Sequence, residues 1–374
     1  MRAPTLYSTP FGEFELRRYP TRRGEPLQAW CAADTLLLEE THRQGVQGRD
    51  ILVANDSHGA LCVALQPRAL WTDSALAAAA LQQNAARNGC ADTPLAWSTA
   101  QPPASIELVV MRVPRQLPYL EYQLAILAQV LPTGARLLAA GMDKHLSPRT
   151  AQLIEQYFGP TERHRGQHKA RLFSAQRDDR SSAAPASGSQ YFCDALGDNL
   201  WAGPNVFSRD AVDAGSRLLL SQLERLAPAE LLLDLACGNG VLGLCALRAG
   251  LARRAVFCDE SAMAIASARR NAQHLFAQSI DDFSFLQGDG TTGYSGEPPD
   301  IVLCNPPFHL EGAIDDFAGR RLLSDCASRL APGGRLCLVA NRHLDYRSVL
   351  KQEFTRYTQL VQNTKFRVLL AYRD

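Results

Sequence analysis

Leu231-Leu232-Leu233-Asp234-Leu235-Ala236-Cys237-Gly238-Asn239-Gly240-Val241-Leu242-Gly243 reads as a buried strand, a glycine turn and the start of a helix. An apolar run broken by close-set glycines before a second apolar run opens a strand–helix unit of a parallel sheet. Gly238, Gly240 and Gly243 satisfy G-x-G-x-x-G, with Asp259 downstream, so a dinucleotide site must be considered. Asp234 argues against it, because it sets a carboxylate beside the loop where a pyrophosphate needs helix N–H groups. A cationic amino-acid ligand such as S-adenosylmethionine suits that acid, directly or through water. Asp259 ends the next strand, Ala255-Val256-Phe257-Cys258, where a carboxylate can accept both ribose hydroxyls. Asp289, in Gly288-Asp289-Gly290 after Phe283-Ser284-Phe285-Leu286, can accept from an adenine amino group. Each acid alone can be a cap or a turn residue, Asp289 above all. Together with the glycine loop they favour adenosylmethionine as cofactor.

Further on, Ile301-Val302-Leu303 runs into Cys304-Asn305-Pro306-Pro307-Phe308-His309. This reads as the carboxyl end of a buried strand breaking into a stiff loop, the edge at which open α/β sheets bind ligands. The prolines restrict themselves and the residues before them, so the loop is rigid before any substrate arrives. The Asn305 side-chain carbonyl and the Pro306 main-chain carbonyl are two acceptors, enough for both hydrogens of a planar exocyclic NH₂. Phe308 offers a face for a flat base. Asn305, Pro306, Pro307 and Phe308 are therefore the candidate catalytic residues. His309 can accept a proton or contact a phosphate, although a histidine after a turn is more often structural.

The plan around these motifs occurs twice. Ile51-Leu52-Val53-Ala54, Trp71-Thr72-Asp73, Val109-Val110-Met111 and Gly134-Ala135-Arg136-Leu137 appear in the order of Leu231–Leu235, Cys258-Asp259, Val302-Leu303-Cys304 and Gly333-Gly334-Arg335-Leu336. Strands alternating with helices mean βαβ units, and the ordered matches indicate an internal duplication. The expected fold is α/β, with two tandem Rossmann-like domains. Their expected spans are residues 1–178 and 191–374, joined by a small, polar linker over 179–190. In the first copy Val53, Ser57 and Cys62 stand where Asp234, Gly238 and Gly243 do. Arg112-Val113-Pro114 replaces Asn305-Pro306-Pro307, so this copy is degenerate and is not expected to bind cofactor. The 374 residues carry a net charge of +1, which names no partner. Ten cysteines without a CxxC pair or zinc-ligand spacing point to reduced thiols and no metal site. No signal core or membrane-length apolar run is present, so a cytoplasmic protein without membrane association is expected.

Asp234-Leu235-Ala236-Cys237-Gly238-Asn239-Gly240, Phe257-Cys258-Asp259-Glu260-Ser261 and Asn305-Pro306-Pro307-Phe308-His309 together resemble the class I adenosylmethionine-dependent methyltransferases that modify guanine N2 in ribosomal RNA. With Leu27-Gln28-Ala29-Trp30, Asn205-Val206-Phe207-Ser208-Arg209, Ala340-Asn341-Arg342-His343-Leu344-Asp345-Tyr346 and the decayed first copy, the chain is similar to the large-subunit (23S) enzymes of bacteria. A small-subunit (16S) relative shares the plan. Where the family has its first loop glycine, this chain has Ala236. The resemblance implies ribosomal RNA as partner, Asp234, Ala236, Gly238, Gly240, Asp259 and Asp289 as cofactor-binding residues, and a cofactor-side role for Phe207 to Asp213. It also favours RNA contact by Arg17, Arg18, Arg22 and Arg23, by Arg163, His164, Arg165, His168, Lys169 and Arg171, and by His309, Arg342, His343 and Tyr346. Competing readings are a methyltransferase for a protein amide or a DNA base amino group, a nicotinamide-dependent oxidoreductase, and a non-catalytic RNA-binding protein. Oligomeric state is left open; a monomer is compatible with the sequence.

Overall fold

The computed structural model describes residues 3–46, 48–180, 187–307, 309–310, 313–314 and 317–374. The chain divides into two units, Met1–Ser187 and Gly188–Asp374. Residues 181–186 of the expected linker lie outside the described residues.

Each unit is built on a seven-stranded sheet with the same strand order. In the first unit the order is Leu95–Trp97, Ala69–Thr72, Ile51–Ala54, Leu108–Arg112, Arg136–Met142, Ala170–Gln176 and Thr161–Arg163. In the second it is Phe283–Gln287, Arg254–Asp259, Leu231–Leu235, Ile301–Cys304, Arg335–Asn341, Phe366–Tyr372 and Arg356–Gln362. In each sheet the first five strands are parallel, the sixth runs antiparallel to both its neighbours, and the seventh therefore points the same way as the first five. The central strands Ile51–Ala54, Leu108–Arg112, Leu231–Leu235 and Ile301–Cys304 are apolar along almost their whole length because helices cover both faces. Each apolar core cluster lies within one unit. The closing antiparallel pairs have no counterpart in the sequence reading. Ala170–Gln176 and Arg356–Gln362 mix polar and apolar residues without a clean alternation, so the strand signal is weak there.

Side-chain bonding repeats with the fold. Asn84 Nδ2 donates to the Arg17 and His58 carbonyls, and its Oδ1 accepts from Arg17 N. Asn271 makes the same three bonds to Trp201 and Asn239. Ser74 and Ser261 each cap the following helix by accepting from the amide three residues on, Ala77 or Ala264. These caps also correct one correspondence. Pairing Ser74 with Ser261 places Thr72, rather than Asp73, opposite Asp259. The register agrees, since Leu70 pairs with Val53 as Phe257 pairs with Asp234.

Candidate active site

Strand order reverses between Leu231–Leu235 and its neighbour Ile301–Cys304. The crevice outside the carboxyl ends of these strands is the ligand position of such a sheet, and both sequence motifs open there.

Asp234 is fully buried at the end of its strand. Its Oδ2 accepts from Gly243 N at 2.8 Å, while its Oδ1 is buried without a partner among the described residues. Only glycine permits this approach: a Cβ on residue 243 would lie 2.6 Å from Phe257 Cε1 and 3.0 Å from Asp234 Oδ2. Burial pushes the Asp234 carboxyl up to about 8, against the Gly243 N–H bond and with help from the Asp259 charge. Asp259 Oδ2 accepts from Gly238 N at 2.9 Å and its Oδ1 from Ser261 N at 3.0 Å. Gly238 has φ +56° with open space where a Cβ would point, and Gly240 has φ +85°. The helix amide that a pyrophosphate would need is thus already held by a carboxylate, which disfavours the dinucleotide reading. A polar, ammonium-bearing nucleoside ligand fits the orphaned Asp234 oxygen, the open glycine loop and the Asp259 carboxylate.

Ala236 also takes the left-handed conformation, φ +59°. For a residue with a Cβ this costs about 1–2 kcal/mol. Ala236→Gly is expected to stabilise the protein by about 0.5–1 kcal/mol once the greater unfolded-state freedom of glycine is counted. Scanning calorimetry should show Tm rising by about 1–4 °C; a lower Tm would contradict the strain.

Asn305 is the first residue after its strand. Its Nδ2 lies 3.3 and 3.2 Å from the two Asp213 carboxylate oxygens and 3.0 Å from Ser216 Oγ, and its Oδ1 is buried without a partner among the described residues. Pro306 is buried and Pro307 exposed. Phe308 lies outside the described residues. His309 begins a two-residue strand paired with Ala313–Ile314, and its side chain likewise lies outside them. Asp213 and Ser216, drawn from 92 and 89 residues away, complete a cluster that the sequence reading did not assemble.

Other candidates fall less centrally. Both Asp289 oxygens accept from Arg321, so this buried acid is first an ion-pair partner. Phe207 is 65% exposed in the segment leading to helix Ala214–Leu220. Arg342 and His343 are exposed just beyond strand Arg335–Asn341, next to Ile301–Cys304 in the sheet. Lys169 is exposed in the turn between two antiparallel strands, at φ +61°. Arg171 is spent on Asp143 Oδ1 at 3.1 Å and the His164 carbonyl. Two basic or polar expectations fail. Tyr346 is fully buried, its ring against Gly319, and belongs to the core. The Arg18 side chain is only 8% exposed and donates to the Gln28 carbonyl.

At the same edge of the first unit the space is filled from within. Asp56 accepts from the Ala60, Leu61 and Cys62 amides, taking over the amide that Asp234 holds in the second unit. Arg112, opposite Asn305 in register, pairs with Asp34 at 2.5 Å.

Residues 198–370 match the model of the methyltransferase small domain, which makes this a Rossmann-like methyltransferase. Residues 4–179 match the RLMG N-terminal domain. Ribosomal RNA large subunit methyltransferase G of Alcanivorax borkumensis is 40% identical, over 97% of this chain and 95% of its own length. The protein of that name from Pseudomonas aeruginosa is 38% identical, over 98% and 99%. The chain belongs to the ribosomal RNA large subunit methyltransferase G family. Among solved structures, the T. thermophilus 16S rRNA N2 methyltransferase in complex with AdoMet and guanosine has a TM-score of 0.80, at 24% identity over 99% of this chain and 98% of that one. That likeness is one of fold.

Proposed function

We propose that the chain methylates the exocyclic N2 of a guanine in large-subunit (23S) ribosomal RNA, using S-adenosylmethionine. The observation that carries this reading is the Asn305 amide, whose nitrogen is tied to Asp213 and Ser216 and whose oxygen is left as an acceptor. The relatives above are named for the large subunit, which favours it over the small subunit.

Asp234, the Ala236–Gly240 loop and Asp259 would hold the cofactor, with Asp289 and Phe207 at its margin. Bound there, adenosylmethionine supplies an electrophilic methyl group. The guanine amino group is a poor nucleophile because its lone pair is delocalised into the ring. Asn305 Oδ1 and the Pro306 carbonyl accept its two N–H bonds, raising electron density on nitrogen and fixing its direction. Phe308 stacks on the base. A base drawn out of its stack costs a few kcal/mol, less in a single strand. The proton leaves nitrogen after transfer, so no strong base is required.

A folded-state pKa near 8 for Asp234 has two consequences. The group adds stability that is full below its unfolded value near 4 and is lost as pH rises through 8. A ligand ammonium beside it favours the ionised form, so cofactor binding should release a proton and tighten between about pH 6 and 8. Calorimetry at pH 7 in two buffers of different ionisation enthalpy should give different apparent enthalpies. Equal enthalpies and a flat affinity profile would remove Asp234 from the ammonium site.

The first unit is proposed to bind RNA through exposed Arg163, Arg165, His168 and Lys169, and through Arg22 and Arg23, with Arg342 and His343 contributing from the second unit. Each unit has its own core, so the halves can be made separately. The first half should bind ribosomal RNA with affinity that falls steeply with salt, and no adenosylmethionine. The second half should bind adenosylmethionine yet methylate RNA poorly. Cofactor binding by the first half, or full activity of the second alone, would contradict this division. With ribosomal RNA as substrate, the proposed site of action is the cytoplasm.

A further inference from the structure

Asp213 does two things at once. As N-cap of helix Ala214–Leu220, its Oδ1 accepts from Gly215 N at 2.9 Å and Ser216 N at 3.1 Å. Across the crevice, both of its oxygens face Asn305 Nδ2, at 3.3 and 3.2 Å. An asparagine amide has nearly the same shape either way round, so only its partners decide which end is presented. Turned over, Asn305 would set its carbonyl oxygen against a carboxylate and leave its NH₂ where an acceptor is needed. A negative charge at residue 213 therefore selects one orientation, in which Oδ1 remains as an acceptor with no partner among the described residues. A charge-assisted bond on the nitrogen also draws electron density toward that oxygen, strengthening it as an acceptor.

The first unit supplies an internal comparison. Its equivalent helix, Ala32–Gln44, has Cys31 at the N-cap position, and Arg112 stands where Asn305 does. The third place, that of Ser216, holds Asp34, which ion-pairs with Arg112. In that unit the helix start is held differently: Asp34, the third residue of the helix, accepts from Cys31 N at 2.7 Å, and the acid sits at the N-cap position itself in the unit that carries the asparagine.

We infer that Asp213 is a positioning residue for methyl transfer: it fixes the Asn305 amide with its oxygen toward the substrate amino group. The inference rests on Asn305 being the acceptor. It predicts selectivity for substrates that offer an N–H donor at this point, because the orientation is set before any substrate arrives.

The test separates capping from orientation. Asparagine and serine cap a helix about as well as aspartate, but neither brings a charge to Asn305. In the full chain, Asp213→Asn should lower the single-turnover rate on large-subunit ribosomal RNA by about ten- to a hundredfold, the range of a hydrogen bond to a charged group. Cofactor affinity, RNA KM and Tm should stay near wild type. Asp213→Ser should behave alike and serves if the asparagine variant fails to fold. In an Asn305→Ala background, Asp213→Asn should cost no further factor, since the two act as one unit. A wild-type rate for both Asp213 variants, or an equal further loss in the Asn305→Ala background, would overturn the positioning role while leaving Asn305 as acceptor. A wild-type rate for Asn305→Ala alone would overturn the acceptor reading and this inference with it.

Discussion

Asn305→Ala should lower the rate of methyl transfer by about a hundred- to a thousandfold, the loss seen when one preorganised polar group at a developing charge is removed. Cofactor affinity should change little, because Asp234 is held by Gly243 N and Asp259 by the Gly238 and Ser261 amides, bonds that the substitution leaves in place. The fold should survive, since Asp213 keeps its bonds to the Gly215 and Ser216 amides when Nδ2 is gone. The loss should appear in the rate constant at saturating RNA rather than in KM, as expected for an interaction that strengthens in the transition state. Single-turnover kinetics with labelled methyl donor, beside calorimetry of cofactor binding, provides both readings. A near-normal rate would show that amino-group orientation does not reside in this loop.

Asp259→Ala is expected to weaken adenosylmethionine binding by about ten- to a hundredfold, the worth of charge-assisted hydrogen bonds. Two terms contribute. The carboxylate is the proposed acceptor for ribose hydroxyls, and it also fixes the glycine loop through Gly238 N and the next helix through Ser261 N. Asp259→Asn retains acceptors for part of this framework without the charge, so it should fall between alanine and wild type. Unchanged affinity in a folded Asp259→Ala protein, measured by calorimetry, would assign the ribose to another group.

Much of the second unit's candidate site was legible because its proposed residues sit in contiguous motifs at strand ends. A glycine loop, an acid closing the next strand and a proline-stiffened asparagine each announce themselves within a few residues. The duplication was legible for a similar reason, and the repeated bonding of Asn84 and Asn271 gives it a structural basis. What escaped depends on distant partners. Nothing local to Asp213 indicates that it faces Asn305 across 92 residues of sequence. Asp289 looked free beside its glycines, but Arg321 from helix Phe317–Arg329 holds it. Tyr346 and Arg18 looked like surface contacts, yet packing buries both. The loss of the first unit's site was read from missing residues. The structure adds that Asp56 and the Arg112–Asp34 pair occupy the vacated positions.

The most direct measurement offers unmodified large- and small-subunit ribosomal RNA together to the full chain with labelled adenosylmethionine, then separates the RNAs and digests each to nucleosides. Label is predicted in N2-methylguanosine from the large-subunit RNA, and should be nearly lost with Asn305→Ala. Label confined to the small-subunit RNA, label on an adenine amino group, or label unaffected by Asn305→Ala would contradict the account.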